Sequence, residues 1–127
     1  MHTYDYAIVR VVPRVERGEF VNAGIIVSCD LERYLQAAID LDHGALLALD
    51  AHVDLDLIKD TLAAISMICA GGTEAGDIGR LSARERFHWL VAPRSTMVQT
   101  SPVHTGRCRD LDGALDHLMS TMIRRRG

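Results

Sequence analysis

The sequence is poor in the residues that mark several functional classes. Its three cysteines, Cys29, Cys69 and Cys108, are odd in number, widely spaced and without a C-x-x-C pair. Neither a disulfide framework nor a zinc knuckle is therefore expected. Only six residues are aromatic and the net charge is −3, so little is available to stack on bases or neutralise phosphates, and nucleic-acid binding is disfavoured. No apolar run approaches the roughly 18 residues that a membrane-spanning helix needs. The stretch after Met1 lacks a signal-peptide pattern, and a cytoplasmic protein is expected. A G-x-x-x-x-G-K loop and a dinucleotide fingerprint are both missing, because Gly71-Gly72 and Gly76 to Gly79 follow a helical pattern instead of opening one. No cofactor is expected.

What remains is the make-up of a globular domain. The chain is 48% hydrophobic and 24% charged, which argues against disorder, and its 127 residues suffice for one core. A single domain over residues 1–127 is expected. Charge is uneven along it. Residues 30–60 carry eight acids against Arg33 and Lys59, a balance of −6, whereas residues 78–109 carry six arginines against Glu85, a balance of +5. Such polarity can orient a partner or hold an anion at one end. Cys108 stands between Arg107 and Arg109, and neighbouring cations lower a thiol pKa.

The pattern predicts an α+β fold: a small, mainly antiparallel sheet, made of a three-strand meander plus a later strand, packed by about three helices. Tyr4 to Val12 reads as a central strand, apolar toward both faces and closed by Pro13. Gly24 opens Ile25-Ile26-Val27 as a second strand, and Tyr34 to Ile39 is the third. After Asp42 the period lengthens. Ala45 to Leu49 forms a helical turn, and Leu55, Ile58, Leu62, Ile65 and Cys69 line one face of a helix capped by Asp54 and stopped at Gly71-Gly72. Residues 73–79 read as a loop. Ser82-x-x-Glu85 is a capping box for a helix carrying Phe87 and Trp89. Thr96 to Ser101 is a strand bounded by Pro102. Asp110 caps a last helix with Leu111, Leu115, Leu118 and Met122 inward, and Arg124, Arg125 and Arg126 complement the dipole at its end.

Two passages carry a family likeness: Tyr4-Asp5-Tyr6-Ala7-Ile8-Val9-Arg10-Val11-Val12-Pro13 through Glu19-Phe20-Val21-Asn22-Ala23-Gly24, and Gly79-Arg80-Leu81 through Glu85-Arg86-Phe87-His88-Trp89 to Ser101-Pro102-Val103-His104. Together they resemble the bacterial family filed as domain of unknown function 3037, over nearly the whole chain. The resemblance implies no established reaction. By gene neighbourhood it implies an accessory or interaction module, a partner or regulator of a HipA-like kinase.

The candidate site centres on the polar stretch after Pro93. Arg94, Ser95, Thr96, Gln99, Ser101 and His104 offer a guanidinium fork, hydroxyls, an amide and an imidazole. Strand alternation lets only a subset converge, and an extended strand of roughly 20 Å or more separates Arg94 and Ser95 at its entrance from His104 beyond its exit, which makes them two poles of a groove. Ser101 and His104 are the only local pair. No G-x-S-x-G turn presents Ser95 or Ser101, which disfavours a serine hydrolase. Arg86 and His88 flank Phe87 on the capped helix, whose period turns them to different faces, so at most one shares a site with the neighbours of Trp89; Arg80, Arg84 and Arg86 could border the same groove. Arg10 is the only cation in its apolar run and needs a partner, for which Glu16, Glu19 and Asn22 are at hand. The acids and histidines between Asp40 and Asp56 lack metal-ligand spacing, and no metal site is expected. Two functions compete: the interaction module, and a small anionic-ligand-binding protein or enzyme with an Arg/His-lined groove.

Overall fold

The structure is a computed structural model and describes residues 1–124. Strands β1 (His2–Val11), β2 (Val21–Cys29) and β3 (Tyr34–Ile39) form the antiparallel meander. β1 is central, as its apolar content on both faces requires: Val9 and Val11 enter the core on one side of the sheet and Tyr4 that on the other.

β2 starts earlier than the apolar run beginning at Gly24. Val9 lies opposite Gly24 but Arg10 lies opposite Asn22, so Ala23 is an extra residue, a β-bulge. The bulge shifts the alternation, and Val21, Ala23 and Ile26 all reach the same core. Gly24 is therefore an interior position. β3 passes so near that a Cβ there would stand 2.5 Å from the Ala38 carbonyl oxygen.

Helix α1 (His43–Leu49) is capped by the Asp42 carboxylate and buries Leu46. Helix α2 (Leu55–Ala70) starts where Asp54 accepts from the Leu57 amide and buries Ile58, Leu62, Ile65, Ile68 and Cys69 against the sheet. The expected loop beyond it is instead two short 3₁₀ turns over Thr73–Arg80, joined at a kink where Gly76 has φ 69°. Helix α3 (Ala83–Val91) opens on the capping box of Ser82 and Glu85 and buries Phe87 and Leu90, each contributing about 1.5–3 kcal/mol. Trp89 falls off that face and is 42% exposed.

The later strand differs most from expectation. It shortens to β4 (Val98–Thr100), and beyond Pro102 the chain continues as a fifth strand, β5 (His104–Cys108). Both pair antiparallel with β1, β4 at Val9–Val11 and β5 at His2–Tyr6, and the register slips by one residue between them. Pro102 thus interrupts an outer strand and does not end it. β5 escapes notice in the sequence because an exposed edge needs no apolar alternation.

Helix α4 (Leu111–Leu118) covers the opposite face over Ile25, Val27 and Cys29. It runs into a π turn, Met119–Ile123, whose extra residue delays the apolar face: Met119 and Ile123 are buried while Met122, expected inward, is 37% exposed. Asp110 holds the N-cap position without a side-chain bond to the helix. Arg124 pairs with Asp40 at 3.4 Å, and Arg125 and Arg126 lie outside the described residues. Among the described residues no helix is long and apolar enough to cross a membrane.

Gly24→Ala should destabilise the fold by about 1–3 kcal/mol, read from urea unfolding, because the neighbour in the way is backbone. Alkali should act through two other groups. Burial pushes the Cys69 thiol up to about 12, and burial with a hydrogen bond to Asp112 raises the Tyr34 phenol. The native state keeps these protons after the unfolded chain has released them. Their contribution is complete below about pH 9 and is lost as pH rises toward 12, so urea midpoints should fall across that range.

Candidate functional site

Two of the arginines singled out in the sequence, Arg86 and Arg94, are committed to helix ends. Arg86 donates from Nη1 to the Ile68 and Cys69 carbonyls, both at 2.7 Å, and from Nε to Leu81. The Ile68 and Cys69 carbonyls stand at the end of α2 and have no amide donor within the helix. The guanidinium fits because Gly71, at φ 74°, has no side chain; a Cβ there would lie 2.9 Å from Nη1. Arg94 does the same for α3, donating to Leu90 and Trp89 carbonyls at 3.0 and 2.6 Å and stacking 4.4 Å from the Trp89 ring centre. Arg84 turns to the sheet, where it meets Asp5 at 2.8 Å and the buried Ser28 hydroxyl at 3.2 Å. Asp5 also accepts from Thr105. Arg84 and Arg86 thus do not share a groove, and His88 is exposed beside Phe87.

Ser101 is also structural. It is 2% exposed; its Oγ accepts from the Ile8 amide at 2.8 Å and donates to the Pro102 carbonyl. Its own amide donates to the Ile8 carbonyl, so one residue holds the outer strand to β1 where the register slips. Both capacities of the hydroxyl are filled within the sheet, which removes Ser101 as a nucleophile. His104 is exposed, with its ring 5.4 Å from that of Tyr6. Thr96 donates to the Val98 carbonyl, and the Gln99 amide nitrogen donates back to the Thr96 carbonyl at 2.7 Å.

Four of the candidates do come together. Arg10, Arg94, Ser95 and Gln99 line one cleft of about 390 Å³, between the β1–β2 connection and the edge of β4. Arg10 and Gln99 are register partners on adjacent strands. The Arg10 guanidinium lies 4.3 Å from the ring centre of Phe20, a residue that its apolar character kept off the list of candidates. Of the partners proposed for Arg10, Glu19 is taken by Arg17, whose hydrogen bond holds the Glu19 carboxyl below its ordinary range. Among the described residues no carboxylate pairs with Arg10. Its Nε is buried without a hydrogen-bond partner, as is Oδ1 of Asn22, its neighbour on β2. Asn22 lines a separate hollow, which also has Phe20 in its wall.

Four of the acidic residues earlier in the chain have structural roles: Asp42 and Asp54 cap helices, Asp50 accepts from the His52 amide and approaches Arg14, and Asp40 meets Arg124. Cys108 departs from expectation, for its thiol is raised by burial and by Cys29 and Asp110. Along β5 alternation turns Arg107 to the side opposite Cys108, and Arg109 lies beyond the end of the strand.

Replacing Ser101 by Ala should cost about 1–3 kcal/mol by urea unfolding, since it orphans the Ile8 amide. Ser95→Ala, at an exposed position, should stay within about 0.5 kcal/mol of the parent. Equal losses at the two serines would contradict this division of roles.

No curated protein and no solved structure matches the chain. A family model described as a protein of unknown function (DUF3037) matches residues 6–123, nearly the whole length. The chain therefore belongs to that family.

Proposed function

We propose that the chain binds a small anion in the cleft between Phe20 and Arg94. The observation that carries this reading is the lining itself, which presents the Arg10 and Arg94 guanidiniums with the hydroxyl of Ser95 and the amide of Gln99, and contains no carboxylate. A cation on a sheet face without an acidic partner is costly to hold, and a bound anion would offset that cost. Arg10 is the anchor, because the Arg94 fork already serves two carbonyls. Binding is preferred to catalysis: Ser95 has no imidazole or carboxylate beside it in the lining to act as its base. The kinase partner implied by the resemblance rests on that resemblance alone.

Arg94→Ala is a poor test, since it also uncaps α3. Arg10→Met is cleaner. Lost stacking on Phe20, about 0.5–1 kcal/mol, is offset by removing a buried unpaired N–H, so basal stability should change by less than about 1 kcal/mol. Inorganic phosphate and acetate, compared with chloride at equal ionic strength, should raise the melting temperature of the parent and leave Arg10→Met unmoved. An anion at a hundredfold its Kd stabilises by about 2.7 kcal/mol, well within detection. No response in the parent, or an equal response in Arg10→Met, would overturn the proposal.

A further inference from the structure

A separate hollow opens at β4 on the face of the sheet that α2 and α3 cover. Its walls are Ala64, Ile65, Ile68, Leu90 and Val98 with the ring of Trp89, and its volume is about 150 Å³. Strand alternation turns Val98 and Thr100 to this face, where Val9, the register partner of Thr100, enters the core, and turns Gln99 with its partner Arg10 to the other. The hollow and the anion cleft are therefore distinct places.

The polar groups in the wall decide what it can hold. Arg94 gives its Nη groups to the Leu90 and Trp89 carbonyls, and no carboxylate lines the hollow. The one charged group is already engaged, so an ion would be desolvated against apolar walls with little in return, and a neutral ligand is favoured. Of the three hydroxyls, Thr61 donates to the Leu57 carbonyl and Thr96 to the Val98 carbonyl. Among the described residues the Thr100 hydroxyl has no hydrogen-bond partner. A dry cavity of about 150 Å³ accommodates one benzene ring. Beside an indole, an aromatic ligand should bind roughly two- to tenfold more tightly than an alkyl one of equal area. We propose that this hollow binds a neutral monocyclic arene with one hydrogen-bonding substituent, of which phenol is the simplest, its ring beside Trp89 and its hydroxyl at Thr100. The proposal does not rest on the anion-binding reading.

The test follows the indole N–H signal of Trp89, the only tryptophan in the sequence, in a proton–nitrogen spectrum. Phenol and toluene should each move it saturably, and cyclohexanol should bind roughly two- to tenfold more weakly than phenol. Thr100→Val keeps the side-chain shape and removes the hydroxyl. It should weaken phenol roughly fivefold or more and leave toluene unchanged. Ala64→Phe should abolish both responses by filling the hollow. If that variant does not fold, Thr61→Phe, at an exposed position of α2 on the rim, takes its place. Arg10→Met, altered on the other face of the sheet, should bind phenol as the parent does. No movement of the signal with phenol, or movement undiminished in the filled variant, would overturn the site, and phenol bound equally by Thr100→Val would overturn the chemistry assigned to it. Neither result bears on the anion cleft, which the phosphate response of the parent tests by itself.

Discussion

The last carbonyls of an α-helix have no donor of their own, and the way this protein meets that constraint governs the chemistry left over. Arg86 closes α2 and Arg94 closes α3, each by crossing to backbone oxygens some residues away in the chain. In doing so they fix the two helices against each other and against the connection that leads to β4. Guanidiniums suit the task because one planar group can satisfy two carbonyls and still sit over an aromatic ring, as Arg94 does over Trp89. Three arginines of the basic segment, Arg84, Arg86 and Arg94, are held in this way or by the sheet. Arg10, on β1 and outside that segment, has no carboxylate partner among the described residues, and that gives the cleft its character.

The position of Arg10 follows from two irregularities in the sheet. The extra residue at Ala23 sets Asn22 beside Arg10, and the slip around Pro102 lets β4 end opposite Val9 so that Gln99 flanks it on the other side. Bulges redirect side chains and increase local twist, and they recur near functional sites for that reason. Here they align a polar row, Asn22, Arg10 and Gln99, across three strands that are otherwise apolar at their centre.

Much of the framework was legible because it is encoded in short windows. The Asp54 cap and the Ser82–Glu85 box need four residues to recognise, and the strand character of Tyr4 to Val11 needs eight. β5 was not legible, since His-Thr-Gly-Arg-Cys carries no periodic signal and is a strand only because β1 offers it hydrogen bonds. The roles of Ser101 and Arg84 were hidden for a related reason: their partners, Ile8 and Asp5, lie 93 and 79 residues away. Arg10 was identifiable from its isolation in an apolar run. Phe20 was not, because its place over the guanidinium depends on the fold of the β1–β2 connection.

The broken outer strand bears also on how the protein behaves in a crowd. A long, flat strand at a sheet margin is a template on which a second chain can add its own strand, the first step of many aggregates. Along the β4–β5 margin that template is interrupted midway by a residue with no amide proton, Pro102, and by a change of register on either side of it. An incoming strand could pair with three residues or with five, but not with the run as a whole. The same slip that brings Gln99 beside Arg10 therefore helps to keep neighbouring molecules apart.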